Sequence, residues 1–372
     1  MTLGTANGTI VGENVTTYII ASGGGEIIKT LNLNAPNEVN PGNMGILITS
    51  TQNLGSTTVR RGHMAQTISG NSSVKRYFDI EPTTNTGLDA TVKMYYLDHE
   101  LNSLTENSLE MYKGGGNKWV AQPTNTQDAS TNYIEITNLD QLDEYTMSEG
   151  LLKLNAKALL AGTYNSSGLM KDDLRVGNYL PTTEPYNGLG FSHNGNECVF
   201  DGVFNVTNND AIVDWVLLEL RDKNDASNVI TSRAALIQKD GDIVDVDGES
   251  SVIFNATPDD YYLVVQHRNH LGVMSSSTIS LSTTAITYDF TTSFANTTGA
   301  NNGILDLGDG YFALYSGDAD VNGQVQNTDI SKILLIIGTA GYMPEDLNMN
   351  GQIQNTDIQN KLYPYVGKGE QY

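Results

Sequence analysis

The sequence predicts a mainly β protein with two antiparallel β-sandwich domains and a short C-terminal module of a different kind. Three observations support this prediction. The first two regions contain short apolar runs separated by glycine-rich turns. Glycine (37) and tyrosine (19) are frequent, which is typical of turn-rich β proteins. An internal repeat begins shortly after residue 315. We therefore expect domains at 1–150, 151–315 and 316–372.

The first domain shows the two-residue period of strands that are buried on one face. The clearest example is the segment 90–97, in which every second residue is apolar. The segments 74–80 and 133–137 have a similar pattern, and no helical period persists. An antiparallel sandwich with short connections fits these strands.

The second domain begins with a predicted strand at 152–160 and, after an irregular stretch, continues with further apolar segments. These segments are 211–220, 229–238, 261–266 and 278–281. Asp-Gly pairs at 240–241 and 247–248 are typical of the tight turns in hairpins. We expect a second sandwich with an immunoglobulin-like or transthyretin-like topology.

The charge balance excludes some partners. Asp and Glu number 43 and Lys and Arg 20, so that the formal net charge is −23. Nucleic acids and anionic membranes need a cationic protein surface. We therefore expect no nucleic-acid binding. We also expect no membrane insertion, because no run approaches the roughly 18 apolar residues of a membrane span. A single cysteine, Cys198, excludes an intrachain disulfide.

The first residues lack the basic start and apolar stretch of a secretory signal peptide. The protein therefore either stays inside the cell or is a mature chain. Few cysteines, many Asn, Thr and Gly residues and strong acidity favour an exported surface protein. We expect a secreted or cell-surface location.

The C-terminal repeat carries the clearest chemical signal. Two segments, 318–329 and 346–357, share the ending Gly-Gln-x-Gln-Asn-Thr-Asp. Each fits an EF-type calcium loop of about 12 residues, with oxygen ligands from positions 1, 3, 5, 7 and 12 and glycine at position 6. The predicted ligands of the first loop are Asp318, Asp320, Asn322, Gln324 and Asp329. Those of the second loop are Asp346, Asn348, Asn350, Gln352 and Asp357.

Two loops in register favour calcium over a chance match in an Asn- and Asp-rich chain. The alternative is a decayed module with two solvated Asx turns. The first loop offers three carboxylates and the second offers two. Because affinity rises with ligand charge, we expect the first loop to bind calcium more tightly. Millimolar extracellular calcium would fill both loops, and the fold of the module should depend on the metal.

Residues 316–372 resemble a dockerin, a module in which two calcium loops, each followed by a helix, insert into a cohesin on another protein. Both loops end in Asp, as in that family. The resemblance implies two calcium ions and a partner that is a cohesin-like domain or another copy of this protein, and a partner within the same chain is a further alternative. It also implies docking through loop positions 10 and 11, which are Asn327, Thr328, Asn355 and Thr356. Because the two pairs are identical, either half could face the partner.

The two halves of the repeat differ beyond their loops. The segment 330–337 is apolar enough to pack as a helix, whereas Pro364 should end the second helix, 358–365, early. The ending 366–372 resembles dockerin-like tails of Bacteroidetes surface proteins, and 212–222 resembles a β-domain repeated in large secreted proteins of that group. These resemblances imply that the protein is exported and built from separate domains, and they identify no catalytic residue.

Two further groups could bind a metal, and each has a simpler explanation. His267 and His270 could bind zinc, but a third ligand is missing and residues three apart on a strand face opposite sides. We expect them to be polar residues of a loop or sheet edge. The acidic run 240–249 could hold calcium loosely, but it lacks the glycine spacing of an EF loop and is more typical of a solvated hairpin.

Two groups could suggest acid–base or nucleophilic catalysis. The triplet 98–100, Asp-His-Glu, directly follows a predicted strand and is more typical of a solvated turn. Cys198 lies in a Gly- and Asn-rich stretch near His193, and nothing in the sequence pairs the two as nucleophile and base.

The two tryptophans could stack on sugar rings. Trp215 lies in an apolar run and is expected in the core. Trp119 follows a glycine-rich segment and is expected to be exposed, where it could form a carbohydrate platform.

Together these features predict a non-catalytic, modular extracellular protein that docks to another protein through a calcium-loaded C-terminal module. Three alternatives remain open. The chain could be a self-assembling subunit of a surface fibre, or an ancillary glycan-binding part of a secreted enzyme. A hydrolase with a scattered site ranks lowest, because the sequence contains no clear nucleophile–base pattern.

Overall fold

The computed structural model describes residues 1–4, 8–20, 24–115, 118–122 and 126–372. These residues form two compact units, Met1–Gly150 and Leu151–Tyr372. The fold is mainly β, with several antiparallel sheets and few helices, which confirms the predicted fold class at that level. Within the described ranges, no helix is both long and apolar enough to cross a membrane.

The first unit contains twelve strands within its described residues. They are β1 (Ile27–Asn34), β2 (Ile46–Thr49), β3 (Asn53–Gly62), β4 (Thr67–Ile68), β5 (Asn71–Ser72), β6 (Tyr77–Pro82), β7 (Ala90–Tyr95), β8 (Leu109–Gly114), β9 (Val120–Ala121), β10 (Thr126–Asp128), β11 (Tyr133–Leu139) and β12 (Glu144–Glu149). Single 3₁₀ turns lie at Pro41–Asn43, Asp98–Glu100 and Glu106–Ser108.

Two antiparallel sheets make up most of the first unit. The larger has the order β1-β3-β6-β12-β8-β9 and the smaller the order β10-β11-β7-β2. In β7 every second residue is buried, as its sequence predicts. Val59 and Tyr145 from the larger sheet share one apolar cluster with Val92 and Ile134 from the smaller sheet. Burial of this shared cluster holds the two sheets together.

The second unit contains the remaining strands. They are β13 (Leu152–Lys157), β14 (Tyr164–Ser166), β15 (Leu169–Met170), β16 (Ile212–Asp222), β17 (Asp225–Gln238), β18 (Asp242–Val244), β19 (Val252–Phe254), β20 (Asp259–Gln266), β21 (Val273–Met274), β22 (Ile279–Leu281), β23 (Ile286–Asp289), β24 (Leu305–Asp306) and β25 (Phe312–Ala313). Its α-helices are α1 (Asp173–Val176), α2 (Tyr186–Leu189) and α3 (Asn327–Ile336). A π-helical segment covers Asp357–Leu362, and 3₁₀ turns lie at Val203–Asn205, Phe294–Asn296, Ala300–Asn302 and Tyr363–Tyr365.

A nine-stranded sheet forms the body of the second unit. Its main path is β19-β13-β18-β17-β16-β20-β21, with β22 paired to β20 and β23 paired in parallel to β13. The central strand β16 is buried along nearly its whole length, and Trp215 is fully buried in it, as predicted. The Asp-Gly pair at 240–241 forms the turn between β17 and β18, where Gly241 has a φ of 92° that favours glycine.

The C-terminal repeat packs inside the second unit. Its first loop leads into α3, which has ten residues. The regular part of its second helix ends at Leu362, before Pro364, as the proline predicts. One apolar cluster joins both halves of the repeat to a residue of the sheet-forming part, Leu271. The buried members of this cluster are Leu271, Tyr315, Ala319, Val325, Ile333, Leu347, Ile353, Ile358 and Leu362.

Candidate metal centre

The first loop folds so that the carboxylates of its first and last positions are both held by the loop backbone. Asp318 accepts hydrogen bonds from the backbone N–H groups of Asn322 and Gly323, both at 3.0 Å. Asp329 accepts them from the N–H groups of positions 3 and 9, at 3.1 and 2.8 Å. The chain therefore curls around its own acidic side chains, as it does in loops that enclose a cation.

The second loop repeats these bonds position by position. Asp346 accepts from the N–H groups of Asn350 at 3.1 Å and Gly351 at 2.7 Å. Asp357 accepts from the N–H groups of positions 3 and 9, at 3.0 and 2.8 Å. The repeat found in the sequence is therefore a repeat in backbone geometry as well.

The backbone conformation is also matched between the loops. Position 6 has a φ of 77° at Gly323 and 81° at Gly351, a region that glycine enters without steric cost. Position 4 has a φ of 58° in both loops, at Val321 and Met349. A β-branched residue such as Val321 rarely adopts this conformation. Both loops therefore adopt the same backbone conformation, although position 4 is strained.

The apolar residue at position 8 anchors each loop. Val325 exchanges backbone hydrogen bonds with 367–368 of the tail, and Ile353 does so with 338–339, which follow α3. Both side chains are buried. Each loop is therefore paired with the segment that follows the helix of the other half, an arrangement with approximate two-fold symmetry.

The first loop fits a calcium ion. Oxygens of Asp318, Asp320 and Asp329 lie within 4.8 Å of one another. Calcium–oxygen distances are about 2.3–2.6 Å, so oxygens on one ion lie at most about 5 Å apart. Oδ1 of Asp320 is buried and has no hydrogen-bond partner among the described residues. A buried oxygen without a partner is costly, and a bound cation would satisfy it.

The carboxyl groups at positions 1 and 12 have raised pKa values in both loops. Burial raises the pKa of Asp318 to about 7, and the charges of Asp329 and Glu370 add to the effect. Burial raises the pKa of Asp346 to about 6, although Arg268 opposes the shift. Burial also raises the pKa of the carboxyl at position 12 in each loop. Holding these groups together as anions is unfavourable, and a divalent cation would offset that cost.

The donor set consists of oxygens alone. Carboxylate, amide and backbone carbonyl oxygens suit calcium, whereas zinc prefers nitrogen and sulfur ligands. When bound, the ion would supply structural order, by fixing both ends of each loop around one centre.

The predicted docking positions are exposed in both halves. Asn327 and Thr328 start α3, and Asn355 and Thr356 precede the π-helical segment. In the first half the exposed face continues along α3 through residues at helical spacing. These residues are Ser331, Leu334 and Leu335, and Leu335 is 82% exposed.

The second half offers a different face from the first. At the position that corresponds to Leu335 it carries Tyr363, which is 54% exposed and is followed by Pro364. Leu362, which corresponds to Leu334, is fully buried. The identical pairs at loop positions 10 and 11 are therefore followed by unlike surfaces.

The histidine pair lies in a loop after β20, as expected, but is buried. His267 is 2% exposed and His270 is 1% exposed. His267 Nε2 lies 3.2 Å from the carboxylate of Asp214, and His270 Nε2 accepts a hydrogen bond from the N–H of Gly162. Among the described residues, the one cluster of three or more acidic, His or Cys ligands is that of the first loop.

The acidic run 240–249 is divided among internal contacts and is only partly a solvated hairpin. Asp245 is fully buried and forms an ion pair with Arg233 at 2.6 Å. Asp242 pairs with Lys157. The second Asp-Gly pair, 247–248, forms a turn, but the strands beside it both pair with β13. These ion pairs use the carboxylates of Asp242 and Asp245, which a looser calcium site in this run would need.

Trp119 and Glu100 are more buried than the sequence predicts. Trp119 is 2% exposed, so the expected exposed platform is wrong, because the ring lies inside the first unit beside β9. Glu100 is buried and pairs with Arg76 at 2.9 Å, so the triplet 98–100 is not a fully solvated turn. The Cys198 thiol donates a hydrogen bond to the backbone carbonyl of Asn196 and is hydrogen-bonded to the hydroxyl of Thr183.

A buried polar cluster escaped the sequence analysis. His193 contacts Ser232 Oγ through Nδ1 at 2.9 Å and Glu197 through Nε2 at 3.0 Å. Glu197 also lies 3.9 Å from Arg233. A hydroxyl, imidazole and carboxylate in series is the pattern of a catalytic triad, but here the cluster links a loop to β17. His193 and Glu197 are four residues apart, but Ser232 and Arg233 lie far along the chain, so the sequence alone does not show that these residues meet.

No family model, curated protein or solved structure matches the chain. The two loops and the exposed face of α3 are the features with a definite chemical meaning.

Proposed function

We propose that this chain is a non-catalytic, modular protein whose calcium-loaded C-terminal repeat docks onto another protein. Residues 316–372 form the docking module, of the dockerin-like kind, and each loop binds one calcium ion. The two preceding β regions are sandwiches, the second immunoglobulin-like or transthyretin-like, and serve as spacer or display units. The protein acts outside the cell or on its surface, where millimolar calcium fills sites of moderate affinity.

One observation carries the calcium part of this proposal. Asp320 has a buried, unpartnered oxygen within the same 4.8 Å cluster as the carboxylates of Asp318 and Asp329. Burial and mutual repulsion make that arrangement unfavourable without a cation. The matched hydrogen bonds of the second loop support a second ion.

The docking part depends on the outer face of α3. Asn327 and Thr328 can make hydrogen bonds, and Leu334 and Leu335 present exposed apolar surface on the same helix face. Apolar anchors beside polar contacts are typical of protein interfaces. The partner is a protein surface with a complementary apolar groove, either a cohesin-like domain or a second copy of this chain.

Calcium titration and sedimentation velocity test the proposal. We expect calorimetry of the full chain to show two bound ions. If the chain remains a monomer with calcium, the partner is a different protein. If calcium increases the size of the particle and a chelator reverses the increase, the partner is a second copy of this chain. No calcium uptake at millimolar concentration would overturn the proposal.

A matched pair of variants tests the docking face. The calcium-loaded chain is immobilised and used to capture partners from the source, or is followed by sedimentation if copies associate. We expect Leu335→Glu to weaken the calcium-dependent association by at least about tenfold, because it places a charge in an apolar contact. Val206→Glu, at a 39% exposed residue outside the repeat, should leave it unchanged. Association that persists in chelator, or equal effects of both variants, would contradict this assignment.

A further inference from the structure

The segment 267–271 leaves the sheet at the end of β20 and is completely enclosed. Its four polar residues, His267 to His270, are between 0% and 2% exposed, and Leu271 is 1% exposed. Such a run of buried polar groups needs partners. The partners of Arg268 and Asn269 lie largely in the calcium-loop repeat, so this segment is the place where the sheet and the repeat meet.

Asn269 contacts the start of both loops. Its side-chain Nδ2 donates to the backbone carbonyl of Asp346, the first ligand of the second loop, at 2.8 Å. Its own carbonyl accepts from the N–H of Gly317 at 3.1 Å, and Gly317 directly precedes Asp318, the first ligand of the first loop. One fully buried residue therefore joins the entrances of the two loops.

The orientation of the Asn269 amide is fixed by its neighbour. His270 Nε2 accepts the N–H of Gly162 at 2.9 Å, so the ring proton is on Nδ1. His270 Nδ1 lies 2.7 Å from Asn269 Oδ1 and 3.0 Å from His267 Nδ1, and its N–H donates to the nearer atom, Oδ1. Oδ1 is thus the acceptor and Nδ2 is left to donate to Asp346.

Arg268 fastens the chain that enters the second loop. Its Nε donates to the carboxylate of Asp214 at 3.0 Å, and its guanidinium also donates to the carbonyl of Met343. It lies 4.3 Å from the ring centroid of Tyr342, whose hydroxyl donates to Asp214 at 2.7 Å. Asp214 is a residue of the central strand β16, so the second loop is connected to the middle of the sheet.

The apolar contact reinforces these bonds. Leu271 belongs to the same buried cluster as Val325 and Ile353, the position 8 anchors of the two loops. Movement of either loop would therefore disturb a core to which the sheet contributes.

We propose that Asn269 couples the two calcium loops to each other and to the sheet, so that an ion in one loop strengthens binding in the other and calcium stabilises the whole unit 151–372. This inference rests on the proposed calcium binding and adds how that binding is regulated. An ion in the second loop fixes Asp346, whose carbonyl fixes the Asn269 amide. The backbone of Asn269 then holds Gly317 and positions Asp318. Coupling between two sites is reciprocal, so the effect operates in both directions.

The coupling is measured by disabling one loop and titrating the other in the full chain. Asp318→Asn removes a charged ligand of the first loop, and the dissociation constant of the second loop for calcium is then measured by calorimetry. We expect it to rise by about fivefold or more, the lower range of allosteric coupling. In a chain that also carries Asn269→Ala, Asp318→Asn should change the dissociation constant of the second loop by less than about twofold. Asn302→Ala, at an exposed asparagine, is the matched control and should preserve the full effect.

A second readout does not depend on the Asn269 variant. In the wild-type chain, calcium at about 100 times its dissociation constant should raise the melting temperature of the second unit by roughly 5–10 °C per site. The sheet and the repeat should unfold in one transition. Tyr342→Phe removes only the bond to Asp214, keeps the ring against Arg268, and should reduce this shift.

The outcomes separate the two proposals. If neither loop takes up calcium, the proposed function itself fails. If both loops bind calcium but Asp318→Asn leaves the second loop unchanged, or if the repeat melts apart from an unaffected sheet, docking can stand and the coupling is overturned.

Discussion

The two halves of the C-terminal repeat have the same inner hydrogen bonds and different surroundings. The first loop is covered mainly by the tail of the chain, with Glu370 nearest to Gly323. The second loop lies against the unit's own β part, with Tyr179 over Gly351 and Asn269 bonded to Asp346. The two loops therefore keep the same inner geometry in different surroundings. The second loop is in contact with Asn269 and Tyr179, whereas the helix of the first half exposes apolar side chains such as Leu335.

The surroundings of the two loops also affect which loop is expected to bind calcium more tightly. The first loop has one more carboxylate than the second, which favours tighter binding there. The second loop has a buried cation, Arg268, near Asp346, which opposes a divalent ion. This loop and the chain that enters it are also held by hydrogen bonds from Asn269 and Arg268, so less order must be gained on binding.

The largest expected difference between the halves concerns the glycine at position 6. Alanine at either site must adopt a positive φ, which costs about 1–2 kcal/mol. At Gly351 an added Cβ would lie 2.3 Å from the ring of Tyr179, whereas at Gly323 it would lie 3.1 Å from the end of Glu370. We expect Gly351→Ala to lower the free energy of unfolding by about 3 kcal/mol and Gly323→Ala by about 1 kcal/mol. Urea unfolding with calcium present measures both. Equal losses would mean that the second loop is not more tightly enclosed.

A smaller effect concerns ligand charge at position 3. Asp320→Asn should weaken calcium binding by the first loop, and Asn348→Asp should strengthen binding by the second, each by roughly tenfold, or about 1.4 kcal/mol. Calorimetric titration of the single variants and the double exchange checks this. A double exchange that leaves the order of the two sites unchanged would show that the surroundings outweigh the charge.

The smallest effect is expected on the outer faces. Leu335→Ala and Tyr363→Ala remove exposed side chains at matched positions, and each should change the free energy of unfolding by less than about 0.5 kcal/mol. Thermal unfolding of both variants provides the measurement. A loss above about 1 kcal/mol at Leu335 would place this side chain in a packed contact and remove it from the docking face.

The features that the sequence predicts well depend on local spacing. Strand β7 and the two loops follow from residues close together in the chain, because side-chain alternation and loop ligands are local patterns. The buried state of Trp119 and Glu100 could not be predicted in this way, since it depends on strands that are distant in sequence. The same holds for Asn269, whose partners Gly317 and Asp346 lie far along the chain. A run of four polar residues directly after an apolar strand was the available hint.

The enclosure of Asn269 at the end of β20 has a mechanical consequence. Force applied to α3 would pass through the hydrogen bond between Gly317 and Asn269 into β20, as well as along the covalent chain. β20 lies between β16 and β21, and its ladder with β16 runs from Leu217↔Gln266 to Asp222↔Tyr261. Force along β20 acts across this whole row of hydrogen bonds at once, which is a shear geometry. The bonds would then have to break together instead of one after another. The buried hydrogen bonds of Asn269 therefore provide a path for force from the repeat into the sheet that is separate from the covalent chain.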